Sequence, residues 1–279
     1  MDVGKYLSRI GYVGPVEPTF EVLRSVHRRH LLSVPFENLT THSGGRVQLE
    51  PSLIFEKIVN RRRGGFCCEN NGLFYWLLVQ MGFQVTRLSG QVGYPDGLYG
   101  PPFDHMILMV TLDGRRWLCD VGFGAPGIFF PLSLDTSDPQ EQGHRVYRVR
   151  EDSGMHFLEW QGEGCTAETQ EWTSLYKFTF EPRAVEDFEQ MSLHHQTSVD
   201  SFIFCKSFCT LAKPHGRSTY IGFKLTNTTY PTGTEGVTKT TRELKADEIT
   251  DILAEEFGIV LDSPLIPKDE PVTPIDVVY

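Results

Sequence analysis

The sequence predicts an α+β protein with a helical first third, a β-rich middle and a mixed last third. Apolar residues recur at helical spacing before residue 83, and short β-rich segments separated by Gly, Pro and Asp turns follow from residue 84. One amphipathic helix then stands among strands near the end. With 279 residues and 40% hydrophobic content, the chain is long enough to enclose a site within a substantial core.

Helices account for the first third. The stretch from Phe20 to Leu32 carries apolar residues at helix-like spacing, and Pro35 marks its end. Another helix is expected just after Pro51, where apolar residues again recur on one face, and Ser52 is predicted as its N-cap.

A further helix is predicted after the motif RGGFCCENN. The residues from Leu73 to Val79 are apolar on every side, which is typical of a fully buried helix, and Gly82 ends it. Cys67 and Cys68 therefore lie near the N-terminus of a core helix.

Short β-rich segments separated by turns in the middle of the chain predict a sheet or a small barrel. The predicted strands are QVTRLSGQV, HMILMVTL, RRWLCDV, HRVYRVR and MHFLEW. In the last third STYIGFKLT is predicted as strand, whereas ADEITDILAEEFG forms a helical stripe that Gly258 stops.

A hairpin connects the first candidate functional residues. The Asp-Gly pair at 113–114 is a strong signal for a two-residue turn, which places Leu112 opposite Arg115. In that register Asp120 projects from the same sheet face as His105, as a diagonal neighbour roughly 7 Å away at the backbone. An Asp there would fix the tautomer of the His and stabilise its charged form, as a base that serves a nucleophile requires.

Cys67 is the candidate nucleophile, because a helix N-terminus, nearby arginines and an adjacent His each lower the pKa of a thiol. The Gly64-Gly65 pair is expected to let backbone pass close to a substrate, and backbone N–H groups near Cys67 are candidate oxyanion donors. Three alternatives stay open at this point: an ordinary buried Cys, a satisfied polar His and a turn-forming Asp. A zinc site is disfavoured because adjacent cysteines lack the usual ligand spacing.

Two sequence features exclude other classes of function. The G-x-G-x-x-G run at 122–127 follows a strand but opens no predicted helix, so it is interpreted as a loop and not as a dinucleotide site. The net charge of −10 opposes binding to nucleic acid or to anionic membranes. The arginines at 61–63 are candidates for making the site electropositive, and for Arg61 and Arg62 the alternative is a solvated charge run.

The remaining composition predicts a cytoplasmic protein. The start lacks a signal-peptide pattern, and the longest apolar run is too short to span a bilayer. Six cysteines in a chain of this length do not suggest a disulfide framework, so we expect free thiols at positions 67, 68, 119, 165, 205 and 209.

The motifs RGGFCCENN, VPFENL and DVGFG, with YLSRIGY near the start and EPRAVEDFEQM and SFIFCKSFCTL later, resemble those of the vertebrate arylamine N-acetyltransferases. The likeness covers essentially the whole chain. It implies a papain-like cysteine-triad architecture with an N-terminal helical bundle over residues 1–83 and a central β-barrel over 84–183. An interdomain helix segment and an α/β lid with a C-terminal tail would follow over 184–279.

The resemblance also implies a reaction. Cys67 would take acetyl from acetyl-CoA as a thioester, His105 would handle protons and Asp120 would orient the His. The acceptors would be arylamines, hydrazines or N-hydroxyarylamines, the kinetics ping-pong, and no metal would be needed. The family motif selects Cys67 and leaves Cys68 with a structural role.

Binding residues are carried over from the same resemblance. The implied coenzyme contacts are Pro101, Pro102, His194, Asp200 and Thr273. The implied acceptor contacts are Phe36, Asp104, His105, Phe123 and Ala125. The small residues Ala125 and Gly127 predict tolerance of bulky aromatic amines, and Glu37 is expected either to pair with Arg63 beneath the site or to be solvated.

Two rival functions share these residues. A thioesterase or protease with the same triad differs only in using water as the acceptor, and a non-catalytic binding protein would keep the fold and the pocket. We expect a monomer that binds small aromatic amines or hydrazines and takes part in xenobiotic metabolism.

Overall fold

The computed structural model describes residues 1–143, 145–161, 171–230 and 236–273, and its architecture is α+β, as predicted. The first part contains one short strand among five helices. These elements are α1 (Val3–Arg9), α2 (Phe20–Ser33), β1 (Phe36–Glu37), α3 (Leu39–His42), α4 (Pro51–Phe55), continued by the π-helical turn Glu56–Asn60, and α5 (Cys67–Gln80).

The start of α4 differs from the prediction. Pro51 is the first helical residue and Glu50 is the N-cap, with no side-chain oxygen accepting from the first-turn amides. Ser52 as N-cap is therefore wrong, and its hydroxyl instead donates to a Glu50 carboxylate oxygen at 3.0 Å. Proline suits the first helical position because the N–H that it lacks would have no partner within the helix.

The middle of the chain forms an eight-stranded antiparallel sheet that is nearly closed and barrel-like. Its strands are β2 (Gln84–Val92), β3 (His105–Leu112), β4 (Arg115–Cys119), β5 (Leu132–Ser133), β6 (Gln140–Gln142), β7 (Arg145–Asp152), β8 (Met155–Gln161) and β9 (Trp172–Phe178). They lie in the order β5-β4-β3-β2-β9-β8-β7-β6. Leu108 and Val110 of β3 pack against the helices, whereas Ile107 packs in the core of the sheet.

The predicted register of the β3–β4 hairpin is confirmed. Leu112 pairs with Arg115, and the ladder continues in that register to Leu108 and Cys119. Asp120 follows directly after β4, one residue beyond the paired segment. The hairpin therefore delivers His105 and Asp120 to one end of the sheet.

The last part combines a second sheet with three helices. Its elements are α6 (Glu189–Thr197), α7 (Phe202–Cys205), β10 (Phe208–Lys213), β11 (Gly216–Ile221), β12 (Lys224–Thr229), β13 (Thr238–Glu243) and α8 (Ile249–Phe257). The sheet order is β1-β10-β11-β12-β13, so a strand from the first third completes this sheet. As predicted, α8 buries Ile249, Leu253 and Phe257 and ends at Gly258, which has a φ of 66°.

Five of the six cysteines lie in the described residues, and all five are buried free thiols. Cys165 lies outside the described residues. Within the described ranges, no helix combines the length and the apolar character needed to cross a membrane.

Candidate active site

Cys67 is the first residue of α5. A local hydrogen bond stabilises the start of this helix. The carboxylate of Glu69 in the first turn accepts from the backbone N–H of Phe66 at 3.2 Å, which is one half of a capping box. The Cys67 sulfur therefore lies at the positive end of a 14-residue helix, although the residue is only 3% exposed.

Two glycines allow close packing around this helix start. A Cβ on Gly122 would lie 2.9 Å from Cys67 Cα, so the loop after β4 can contact the helix only without a side chain. A Cβ on Gly64 would lie 1.9 Å from the carbonyl oxygen of Pro35. Gly64 thus permits a close approach to the protein's own backbone, and the expectation that the Gly64-Gly65 pair passes close to a substrate stays a prediction.

His105 and Asp120 form the hydrogen bond that the strand register predicted. His105 Nε2 donates to Asp120 Oδ2 at 2.8 Å, and both residues are 2% exposed. The rings of Phe123 and Tyr176 each lie 5.2 Å from the imidazole and enclose it. Because Nε2 is committed to the carboxylate, Nδ1 is the nitrogen left to interact with Cys67.

Asp120 is held by further donors that sequence reasoning missed. Asn71 Nδ2 donates to Asp120 Oδ1 at 2.9 Å, and the N–H of Gly122 donates to the same oxygen at 2.9 Å. Asn71 lies one turn after Cys67, so its position on the same face of a helix is the signal that could have identified it. These bonds leave the carboxylate little freedom to turn away from His105.

His27 of α2 lies behind Asp120 and is fully buried. Its Nδ1 donates to the carbonyl of Phe129 at 3.2 Å, so its Nε2 accepts from the backbone N–H of Asp120 at 3.1 Å. Burial lowers the pKa of His27 to about 4, which keeps the ring neutral and preserves this pattern. No spacing along the chain connects residues 27 and 120, so this contact could not be predicted from the sequence.

The electrostatics favour charge separation between Cys67 and His105. The Cys68 thiol is the strongest influence lowering the pKa of Cys67, which falls well below its ordinary value against burial and with help from His105. Burial opposes the protonation of His105, but the charge of Asp120 and its hydrogen bond outweigh burial and raise the pKa to about 10. A thiolate and an imidazolium are therefore the favoured forms near neutral pH.

Cys68 contacts Cys67 but has a different environment. The two sulfur atoms lie 3.8 Å apart, and Cys68 packs among Phe66, Met106 and Phe208. Its hydrogen bond to Cys67 raises the pKa of Cys68 well above the ordinary value, and burial adds to the effect. Cys68 is thus the thiol of the pair that remains protonated.

A cavity of about 510 Å³, here called the central cavity, opens at Cys67. All five residues that the resemblance implied for the acceptor line it: Phe36, Asp104, His105, Phe123 and Ala125. Gly127 borders a smaller recess beside this cavity. The run at 122–127 forms a loop and opens no helix, as predicted.

Three of the five residues implied for the coenzyme line the central cavity, and two do not. Pro101, His194 and Asp200 line the central cavity, with His194 Nε2 3.1 Å from Asp200 Oδ1. Pro102 is exposed and is not among the lining residues. The N–H of Thr273 donates to the carbonyl of Val199, just after the end of α6, at 3.0 Å.

Asp104 was predicted as an acceptor contact, but its imidazole neighbour His195 was not predicted. Asp104 Oδ1 lies 3.4 Å from His195 Nε2, and the Val92 N–H donates to the other oxygen at 3.1 Å. Burial raises the pKa of Asp104. Among the described residues, no cluster of three or more His, Cys, Asp or Glu is arranged to hold a metal ion.

Glu37 pairs with Arg63, as one of the two interpretations predicted. Arg63 Nε and one terminal nitrogen each donate to the fully buried Glu37 carboxylate at 3.1 Å. Lys57 lies 3.6 Å from Glu37 and donates to Glu69 at 2.7 Å. These four residues form the buried cluster beneath α5, whereas Arg61 and Arg62 are exposed.

Comparisons with known proteins show which family the chain belongs to. A model of a family described as N-acetyltransferase matches residues 19–266. The chain is 34% identical over 281 residues to the pineal gland isozyme NAT-3 arylamine N-acetyltransferase of Gallus gallus. It is 35% identical over 284 residues to arylamine N-acetyltransferase 1 of Homo sapiens. Each alignment covers 96% of this chain and 97% of the relative.

A solved structure shares the fold. The arylamine N-acetyltransferase of Mycobacterium marinum in complex with CoA superposes with a TM-score of 0.81 at 31% identity, covering 92% of this chain and 93% of that chain. Full-length similarity above 30% identity and the match to the family model lead to one conclusion. The chain belongs to the arylamine N-acetyltransferase family.

Proposed function

We propose that this acyltransferase moves acetyl from acetyl-CoA to arylamines, hydrazines or N-hydroxyarylamines through a thioester on Cys67. The main observation behind this proposal is the 2.8 Å hydrogen bond from His105 to Asp120, beside Cys67 at the N-terminus of α5. The proposal is supported by the lowered pKa of Cys67 and the raised pKa of His105. It is also supported by the CoA complex of the Mycobacterium marinum relative.

In the first half-reaction, the Cys67 thiolate attacks the thioester carbonyl of acetyl-CoA. The bond to the coenzyme sulfur breaks, and His105 gives its Nδ1 proton to that sulfur, so free CoA leaves and His105 becomes neutral. Asp120 keeps Nε2–H in place throughout and stabilises the imidazolium before the transfer. Backbone N–H groups in the first turn of α5 lack partners within the helix and are the candidate donors to the oxyanion.

In the second half-reaction, the amine nitrogen attacks the acetyl carbon on Cys67. His105 takes the proton from the amine, the carbon–sulfur bond breaks, and Cys67 leaves as the thiolate. The imidazolium and the thiolate are thereby restored. Over the whole cycle the enzyme neither gains nor loses a proton. Because one sulfur serves both half-reactions, the kinetics are ping-pong.

We assign the acceptor contacts from the lining of the central cavity and the coenzyme contacts from the resemblance to the family. Phe36, Asp104, Phe123 and Ala125 contact the acceptor, since all four share this cavity with Cys67. Pro101, Pro102, His194, Asp200 and Thr273 contact the coenzyme. The three-part division at residues 1–83, 84–183 and 184–279 and a cytoplasmic location, where Cys67 stays reduced, belong to the same proposal.

Intact-protein mass spectrometry after brief mixing with acetyl-CoA tests the mechanism. The wild type and the matched control Cys68→Ser are expected to gain one acetyl group, whereas Cys67→Ser is expected to gain none. Addition of an arylamine then removes the acetyl group and yields the acetylated amine. Discharge at the same rate with and without the amine would instead identify a hydrolase.

A further inference from the structure

Among the described residues that line the central cavity, the charged side chains have partners that can carry the opposite charge, with one exception. Asp104 lies 3.4 Å from His195, and Asp200 lies 3.1 Å from His194. His105, which faces the cavity, is bonded to Asp120 at 2.8 Å. Each cavity carboxylate therefore has an imidazole at ion-pair distance, and the catalytic imidazole has its own carboxylate.

Arg217 of β11 is the exception. It lines the central cavity and is half-buried, yet within the described ranges its side chain makes no hydrogen bond and no ion pair. Its cross-strand neighbour Ala212 is too short to cover it. The hydroxyls of Thr210 and Thr219, on the same wall, bond to each other at 2.9 Å. An arginine in a cavity without a counter-charge is an unoccupied donor for an anion.

The position of Arg217 indicates which ligand supplies the anion. Arg217 also borders the smaller recess of about 30 Å³, together with Phe36 and Ala125. Phe36 and Ala125 are proposed acceptor contacts, and both line the cavity and the recess. The proposed coenzyme contacts Pro101, His194 and Asp200 do not border the recess. Arg217 therefore lies on the acceptor side.

We propose that Arg217 determines acceptor specificity by binding an anionic substituent, such as a carboxylate, on the aromatic ring of the amine. The planar guanidinium matches a carboxylate with two parallel hydrogen bonds. The small side chains of Ala125 and Ala212 leave room for the substituent beside it. This inference rests on the proposed function, because it concerns the second substrate of that reaction.

The test compares two acceptors that differ in charge, 4-aminobenzoate and its neutral methyl ester. The measured quantity is the ratio of their kcat/KM values, with acetyl-CoA as donor. In the wild type we expect the ratio to favour 4-aminobenzoate. In Arg217→Gln we expect the ratio to fall by about 10- to 100-fold, as for loss of a charge-assisted hydrogen bond. Arg217→Lys keeps the charge without the fork and should retain part of the preference.

Two controls separate the possible sources of the anion. Arg115→Gln removes an exposed arginine at the β3–β4 turn and should keep the wild-type ratio. With 4-nitrophenyl acetate, a donor without phosphate groups, Arg217→Gln should show the same fall. A raised KM for acetyl-CoA with an unchanged acceptor ratio would assign Arg217 to the coenzyme phosphates and overturn the inference.

Two failures are distinguishable. If the wild type acetylates the methyl ester but Arg217→Gln leaves the ratio unmoved, the inference alone is wrong. If the wild type acetylates neither amine nor any other arylamine, the proposed function fails and the inference falls with it.

Discussion

Two groups of charged residues lie near the start of α5. The cluster of Glu37, Arg63, Lys57 and Glu69 lies beneath the helix, and the Cys67–His105–Asp120 group lies at the cavity. In the first, Glu37 accepts from Arg63, from the Gly64 N–H at 3.2 Å and from the Leu39 N–H at 2.6 Å. In the second, the Cys67 sulfur lies 3.8 Å from the sulfur of Cys68 and 3.8 Å from the carbonyl oxygen of Asp104, both long for hydrogen bonds.

The difference shows how one helix start serves both stability and chemistry. Fully satisfied buried charges are costly to disturb but do not react, because every lone pair already has a donor. Lys57 and Arg63 together lower the pKa of Glu37 to about 2 against burial. The Cys67 sulfur is equally buried but weakly bonded, so its charge depends on His105 and remains available to a substrate in the cavity.

The largest expected effect is on catalysis and comes from Asp120→Asn. An amide nitrogen cannot accept the Nε2 proton, so His105 would adopt the wrong tautomer and lose the stabilisation of its charged form. We expect kcat to fall by about 10⁴-fold, as for the equivalent change in a serine protease triad. Asp135→Asn removes the partly exposed carboxylate that accepts from Arg116 and serves as the control. An Asp120→Asn enzyme within tenfold of the wild type would remove Asp120 from the mechanism.

The next largest effect is on stability and tests the cluster beneath α5. Glu37→Gln leaves Arg63 buried with too little negative charge beside it, so we expect the free energy of unfolding to fall by about 3–5 kcal/mol. Urea denaturation of both proteins at neutral pH measures the difference. An unchanged midpoint would mean that Glu37 behaves as a solvated side chain, and the contrast between the two clusters would disappear.

A third prediction concerns pH and the support behind Asp120. His27 has its pKa lowered to about 4 by burial, whereas an unfolded His titrates near 6.5. Its contribution to stability is complete above pH 6.5 and is lost as the pH falls to about 4, because the unfolded chain binds the proton first. The loss is about 3 kcal/mol from this residue.

Denaturation at several pH values checks this, with His27→Gln as the comparison. The variant is expected to show a shallower fall in stability between pH 6.5 and 4. Glu37 also destabilises on acidification, but its lowered pKa places that effect below pH 4.5. Parallel pH curves for wild type and variant would contradict the assignment.

The smallest effect belongs to the contact between the two sulfurs. Cys68→Ala removes the thiol that most strongly lowers the pKa of Cys67, so that pKa should rise. We expect the acetylation rate of Cys67 at neutral pH to fall by about three- to tenfold, as for loss of one modest hydrogen bond. Cys68→Ser restores a donor and should recover most of the rate. Equal rates in all three proteins would leave Cys68 with a packing role only.

The sequence predicted the parts of the site that local rules determine. The Asp-Gly turn fixed the strand register and hence the meeting of His105 with Asp120, and the apolar run after the motif located the helix that begins at Cys67. The prediction that Ser52 is the N-cap of α4 was wrong because Pro51 itself occupies the first helical position. His27, His195 and Arg217 were missed because their contacts join distant segments, and no periodicity records which distant side chains meet.

The central claim is that Cys67 is a thiolate held by His105 and Asp120, and its alkylation rate as a function of pH tests it most directly. Iodoacetamide is added to the wild type at pH values from 5 to 10, and modification of Cys67 is followed by peptide mass spectrometry. We predict a rate that is already at its plateau at pH 7, far below the ordinary thiol pKa of about 8.5. A rate that instead rises through pH 8 to 9, as for a simple thiol, would contradict the account.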